Sequence, residues 1–73
     1  MTWKQDGDEW QADFEKRFGL IVAAKYPARH ILTVWERSPG KWRLVYRRRY
    51  GATDEGLQAA KSFAEKLLTN AAS

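Results

Sequence analysis

Glu36-Arg37-Ser38-Pro39-Gly40-Lys41-Trp42-Arg43, ERSPGKWR, holds the clearest turn in the chain. Proline presets the φ that the first central position of a tight turn needs, and glycine accepts the positive φ of the second. Ser38 then faces Lys41, and the flanking runs His30–Arg37 and Trp42–Tyr50, rich in β-branched and aromatic residues, become two antiparallel strands. Outward from the turn, Arg37 pairs with Trp42, Glu36 with Arg43, Trp35 with Leu44, Val34 with Val45, Thr33 with Tyr46 and Leu32 with Arg47. A three-residue loop with a bulge would move this register by one.

Beyond the second strand the period changes from two to 3.6. Leu57, Ala60, Phe63, Ala64, Leu67 and Leu68 share one side of a helix over about 54–69, with Gln58, Lys61, Ser62, Glu65, Lys66 and Thr69 opposite. Thr53 is the expected N-cap, and Asp54 and Glu55 suit the positive end of the helix dipole. Asn70 can end the helix, leaving 70–73 as a frayed tail.

Before the first strand, Asp6-Gly7 is a hairpin signal. With those two residues as the loop, Lys4 faces Glu9 and Trp3 faces Trp10, an opposite-charge pair and an aromatic pair. Residues 8–18 admit two assignments. Trp10, Phe14 and Phe18 fit one helix face closed by Gly19, but period two continues through Leu20, Val22, Ala24 and Tyr26, which favours two strands bending near Lys16 to Gly19. Pro27 ends that segment. The expected architecture is α+β: an antiparallel meander of four to five strands over about 2–50, with one C-terminal helix on one face, in a single domain spanning 1–73.

One helix covers one sheet face. Simple alternation places Trp35, Trp42, Leu44 and Tyr46 under the helix with Leu57, Phe63 and Leu67, and Arg48 at the margin with its charge reaching out. The other face then carries Arg43, Arg47 and Arg49 around Leu32, Val34 and Val45, with His30 partly exposed at the strand start. An apolar patch rimmed by guanidinium groups has the make-up of a recognition surface. The expected partner-binding residues are Lys41, Arg43, Arg47 and Arg49 as charge contacts, with Leu32, Val34 and Val45 as the apolar centre.

Composition narrows the chemistry. The chain has 73 residues, no cysteine and one histidine, so neither a disulfide nor a Cys/His zinc site is expected to staple it. Four tryptophans, three tyrosines and three phenylalanines supply the burial instead. No nucleophile sits near His30, no glycine-rich phosphate loop occurs, and the acids Asp6, Asp8, Glu9, Asp13 and Glu15 lack calcium-loop spacing. The expectation is a non-enzyme with no cofactor, metal or catalytic residue. The longest apolar run, Leu20–Ala24, is short of a membrane span, and the acidic start MTWKQDGDEW lacks a signal peptide's apolar core. A soluble, monomeric cytoplasmic protein is expected.

Charge is segregated along the chain. Residues 1–15 hold one lysine against five acids, residues 16–50 hold ten Lys and Arg against Glu36 alone, and residues 51–73 hold two lysines against three acids. A basic centre of that kind favours an acidic or polyanionic partner. Direct binding of DNA or RNA through the basic hairpin is one outcome, although no RNP, KH or zinc-finger signature is present.

The run WERSPGKWRLVYRRRYGATDEGLQAAKSFAEKLL, Trp35 to Leu68, looks like the closing hairpin and helix of many small phage proteins. In length, basic charge, lack of cysteine and sheet-plus-helix pattern, the whole chain resembles small bacteriophage transcription regulators that bind host RNA polymerase. The likeness is one of overall shape and transfers no functional residue. It implies a non-enzymatic protein in the bacterial cytoplasm that docks on polymerase subunits near nucleic-acid paths, inhibiting initiation or promoting antitermination.

Overall fold

The computed structural model describes residues 1–69; the expected Asn70 helix end and the 70–73 tail lie outside the described residues. The chain forms β1 (Lys4–Asp6), β2 (Glu9–Phe14), β3 (Arg17–Lys25), β4 (Ala28–Ser38), β5 (Lys41–Tyr50) and α1 (Asp54–Thr69). The five strands make one antiparallel sheet in sequence order, an open meander, and α1 packs across one face. No helix among the described residues is long and apolar enough to cross a membrane.

Each turn is two residues long and has its own chemistry. Pro39-Gly40 joins β4 to β5 with Ser38 opposite Lys41 and Gly40 at φ 82°, as a type II turn requires. Tyr26-Pro27, with a cis peptide, joins β3 to β4. Glu15-Lys16 joins β2 to β3, with Glu15 at φ 56°. Residues 8–18 are therefore strand, turn and strand, and the helical alternative for them is not adopted.

The first hairpin corrects the expected register. Its loop is Gly7-Asp8, with Asp6 opposite Glu9 and Lys4 opposite Gln11. Gly7 has φ 61° while Asp8 is not in the left-handed region, the pattern of a II′ turn with glycine first. Trp3 consequently does not face Trp10. Its indole Nε1 donates to Glu65 Oε2 on α1 at 2.8 Å, and Trp10 meets the His30 ring edge-on at 5.7 Å.

The helix forms where the apolar stripe predicts. Thr53 Oγ1 accepts from Gly56 N at 3.1 Å, satisfying one of the orphan amides of the first turn. At the far end, Arg17 donates to the Leu67 carbonyl at 2.7 Å, placing a cation beside the negative end of the helix dipole. The inward residues Ala60, Ala64 and Leu68 are small or slender and let α1 lie close to the sheet. A Cβ on Gly19 would sit 3.3 Å from Leu68 Cδ1.

That close approach selects the buried face. Beneath α1 lie Ala12, Ile21, Leu32 and Val34, with Leu32 and Val34 at 0% exposure. Burial of a side chain of this size contributes about 1.5–3 kcal/mol, so these aliphatics are the main apolar support of the fold. Aliphatic side chains fill the middle of that thin gap, with Trp3 and Trp10 only partly buried against them. Trp35, Trp42 and Leu44, expected in the core, lie on the opposite face, and Trp42 and Leu44 remain 52% and 45% exposed.

A β-bulge completes the rearrangement. The pairs from Ser38–Lys41 to Trp35–Leu44 hold as the turn dictates, but Val34 then pairs with Tyr46, Thr33 with Arg47 and Leu32 with Arg48. Val45 is the extra residue, and beyond it every side chain of β5 changes face relative to plain alternation.

Candidate functional site

The uncovered sheet face can be assembled row by row from the register. Trp42 lies beside Arg37; Leu44 beside Trp35, Phe18 and Asp13; Arg47 beside Thr33, Leu20 and Gln11; Arg49 beside Ile31, Val22 and Glu9. Side chains alternate along each strand, so all of these project away from α1. Phe18, Leu20, Trp35 and Trp42 line an open depression of about 450 Å³. Its walls are fixed. The Phe18 and Trp42 rings are inclined at 58° with centroids 6.2 Å apart, and Trp35 Nε1 donates to Thr33 Oγ1 at 3.1 Å.

Two of the three adjacent arginines reach this face. Arg47 and Arg49 are exposed on it, whereas Arg48 turns to the helix side, with its guanidinium 5.4 Å from the Tyr50 ring centroid and 5.9 Å from that of Phe63. The pKa of Arg48 is raised further by the neighbouring Tyr46 and Tyr50, so it is a permanent cation at the core margin.

The remaining expected partner-binding residues are placed differently from one another. Lys41 is exposed at the β4–β5 turn, lining with Arg37 and Trp42 a shallow hollow of about 520 Å³. Arg43 points to the helix side and pairs with Glu36 at 3.1 Å; Glu36 also pairs with Arg17 at 3.1 Å. It is one end of a structural ion network. Leu32 and Val34 are sealed beneath α1 and cannot form an exposed apolar centre, because the regular alternation of β4 sends them, with Ile21 of β3, to the face that the helix covers. Val45, 39% exposed, occupies the bulge itself.

The exposed apolar centre is instead Phe18, Leu20, Trp35, Trp42 and Leu44. These were legible as apolar strand residues but not as surface, because β4 is apolar on both faces and the larger side chains look like the core. The one available signal was in the helix: a buried stripe with two alanines accepts aliphatics more readily than tryptophans.

His30 also departs from expectation. It is 8% exposed on the covered face, where Nδ1–H donates to the Gly51 carbonyl at 2.7 Å. A carbonyl only accepts, so the proton sits on Nδ1. Among the described residues, no three of His, Cys, Asp and Glu converge as metal ligands.

Charge on the uncovered face is divided. Asp6, Glu9 and Asp13, with Lys4, lie on the β1–β2 side; Arg29, Arg37, Arg47 and Arg49 lie on the β4–β5 side; β3 between them presents only apolar side chains. No family model, curated protein or solved structure matches the chain.

Proposed function

We propose that the protein is a non-enzymatic binding module that docks on a macromolecular complex through the uncovered face of its sheet. The observation that carries this reading is the aromatic depression of Phe18, Leu20, Trp35 and Trp42, left bare with Arg37 and Arg47 at its two ends and Arg49 one row beyond. A fixed apolar hollow takes one bulky apolar side chain of a partner, and adjacent guanidinium groups take carboxylates, which sets orientation and speeds encounter. The fitting partner is a protein surface with an apolar anchor flanked by acids. The likeness to phage transcription regulators makes bacterial RNA polymerase the complex to test, with modulation of initiation or termination as the consequence.

Direct binding of single-stranded nucleic acid is the second reading, favoured by the half-exposed Trp42 ring on the same face as Arg37, Arg47 and Arg49. Two observations weigh against it as the main role. Phe18 and Trp35 form walls of a hollow more than a flat stacking platform, and Asp6, Glu9 and Asp13 repel phosphates across the other half of the face.

Nuclease-treated bacterial RNA polymerase, immobilised and titrated with the protein, separates the two readings. Saturable binding that weakens at least tenfold, about 1.4 kcal/mol, in Trp42→Ala supports docking. Binding that vanishes with the nuclease, together with a steep salt dependence on single-stranded DNA that flattens in Arg47→Ala, supports the nucleic-acid reading. No binding to polymerase in either state removes this complex as the partner.

A further inference from the structure

We propose that the uncovered face also pairs with a second copy of the same chain, around a two-fold axis that runs along the strands in the plane of contact. The inference uses the same face as the docking reading but not its partner, and it replaces the expectation of a monomer.

Charge on this face is divided between its two edges. Rotation by 180° about an axis parallel to β3 turns one sheet to face the other and exchanges the two ends of the strand order. The β1–β2 side of one copy then lies over the β4–β5 side of the other, at both ends of the contact. Rotation about an axis across the strands would set acids over acids and arginines over arginines. Only the first arrangement is complementary.

The strand register makes the match specific. Asp6, Glu9, Val22, Ile31 and Arg49 fall in one row across the sheet, so the rotation brings Asp6 over Arg49 of the second copy and Glu9 over Ile31, one strand from that arginine, twice. In the middle, Phe18, Leu20 and Val22 of β3 meet their own equivalents, so the centre of the contact is apolar and its flanks are charged. One row is unfavourable: Lys4 lies in the row of Arg47. The flank is still attractive in sum, since the β1–β2 side carries three acids and one lysine on this face and the β4–β5 side four arginines.

Size fits a weak, reversible pair. Five strands at about 4.8 Å spacing and roughly 25–30 Å length offer about 600 Å² per copy. About 1,200 Å² in total lies at the lower edge of stable interfaces, where dissociation in the micromolar range is expected. Self-association would then cover the aromatic depression in the free protein, and a partner that uses the same face would have to displace the second copy.

Sedimentation velocity on the purified, nucleic-acid-free protein tests this without any partner, so its failure leaves the docking reading standing. The wild type is expected to shift from monomer to dimer over roughly 1–100 µM. Arg37→Glu with Arg47→Glu and Arg49→Glu makes both flanks acidic, and Glu9→Lys with Asp13→Lys makes both basic; each variant alone should stay monomeric over that range. An equimolar mixture of the two should recover the dimer, because each now complements the other at both ends. A wild type that is monomeric throughout, variants that dimerise like the wild type, or a mixture that stays monomeric overturns the proposal. Far-ultraviolet circular dichroism of each variant confirms that the sheet is intact.

Discussion

His30 and Gly51 are joined by a hydrogen bond of 2.7 Å from the imidazole Nδ1–H to the backbone carbonyl, and that same carbonyl lies against the α-carbon of Gly56. The loop from β5 into α1 is thus held between a buried side chain of β4 and the first turn of the helix. A Cβ at Gly56 would overlap the Gly51 carbonyl. Gly56→Ala should gain about 1 kcal/mol of helix propensity and lose more from the forced displacement, which costs about 1–3 kcal/mol. Urea unfolding should show a net loss, and the His30 imidazole ¹⁵N shifts should report the broken hydrogen bond. A variant more stable than the wild type would contradict the contact.

Tyr50 gives the fold an alkaline limit. Its hydroxyl is buried with no hydrogen-bond partner among the described residues. Its pKa is raised from 10.0, first by burial and then by Tyr46, with Arg48 drawing it the other way. The folded state therefore holds the phenol proton more tightly than the unfolded chain. The resulting stability is fully present below about pH 10 and is lost as pH rises through the folded-state value. Tyr50→Phe should be as stable as the wild type or more so at neutral pH, by up to about 1 kcal/mol. It should also lose less stability between pH 9 and 11, as followed by thermal melts. Identical alkaline profiles would show that Tyr50 does not set the limit.

Glu15 sits in the left-handed region at φ 56°, a conformation that costs a residue with a Cβ about 1–2 kcal/mol. Glycine relieves that strain and loses about 0.5–1 kcal/mol through the freedom of the unfolded chain. Glu15→Gly should therefore stabilise the β2–β3 hairpin slightly, and Glu15→Val should destabilise it, in chemical denaturation. The reverse order would place the turn differently.

Local features of the fold were readable from the sequence, and the choice of face was not. Ser38-Pro39-Gly40-Lys41 dictates its own turn, and the pairs nearest it, Arg37–Trp42, Glu36–Arg43 and Trp35–Leu44, follow directly. Thr53 and the apolar stripe define α1 in the same local way. The bulge at Val45 has no local signature, since valine is an ordinary strand residue. Yet it reverses everything beyond it, moving Tyr46 and Arg48 under the helix margin and Arg47 and Arg49 into the open. Arg47 and Arg49 thus lie on the open face as expected, but beside Leu20, Val22 and Ile31 and not around Leu32 and Val34. The first hairpin shows the same limit. Asp6-Gly7 and Gly7-Asp8 are both acceptable loops, and the one adopted leaves Trp3 free to reach Glu65 on α1, a contact separated by 62 residues in sequence.

α1 covers the Leu32 and Val34 face of the sheet and leaves the Trp35 and Trp42 face bare. Urea unfolding of Leu32→Ala beside Trp42→Ala, at protein concentrations below 1 µM, tests it most directly. The smaller deletion should do the greater damage: about 2–5 kcal/mol for Leu32→Ala against about 1 kcal/mol or less for Trp42→Ala. A loss from Trp42→Ala equal to or larger than that from Leu32→Ala would mean that the helix lies on the other side of the sheet.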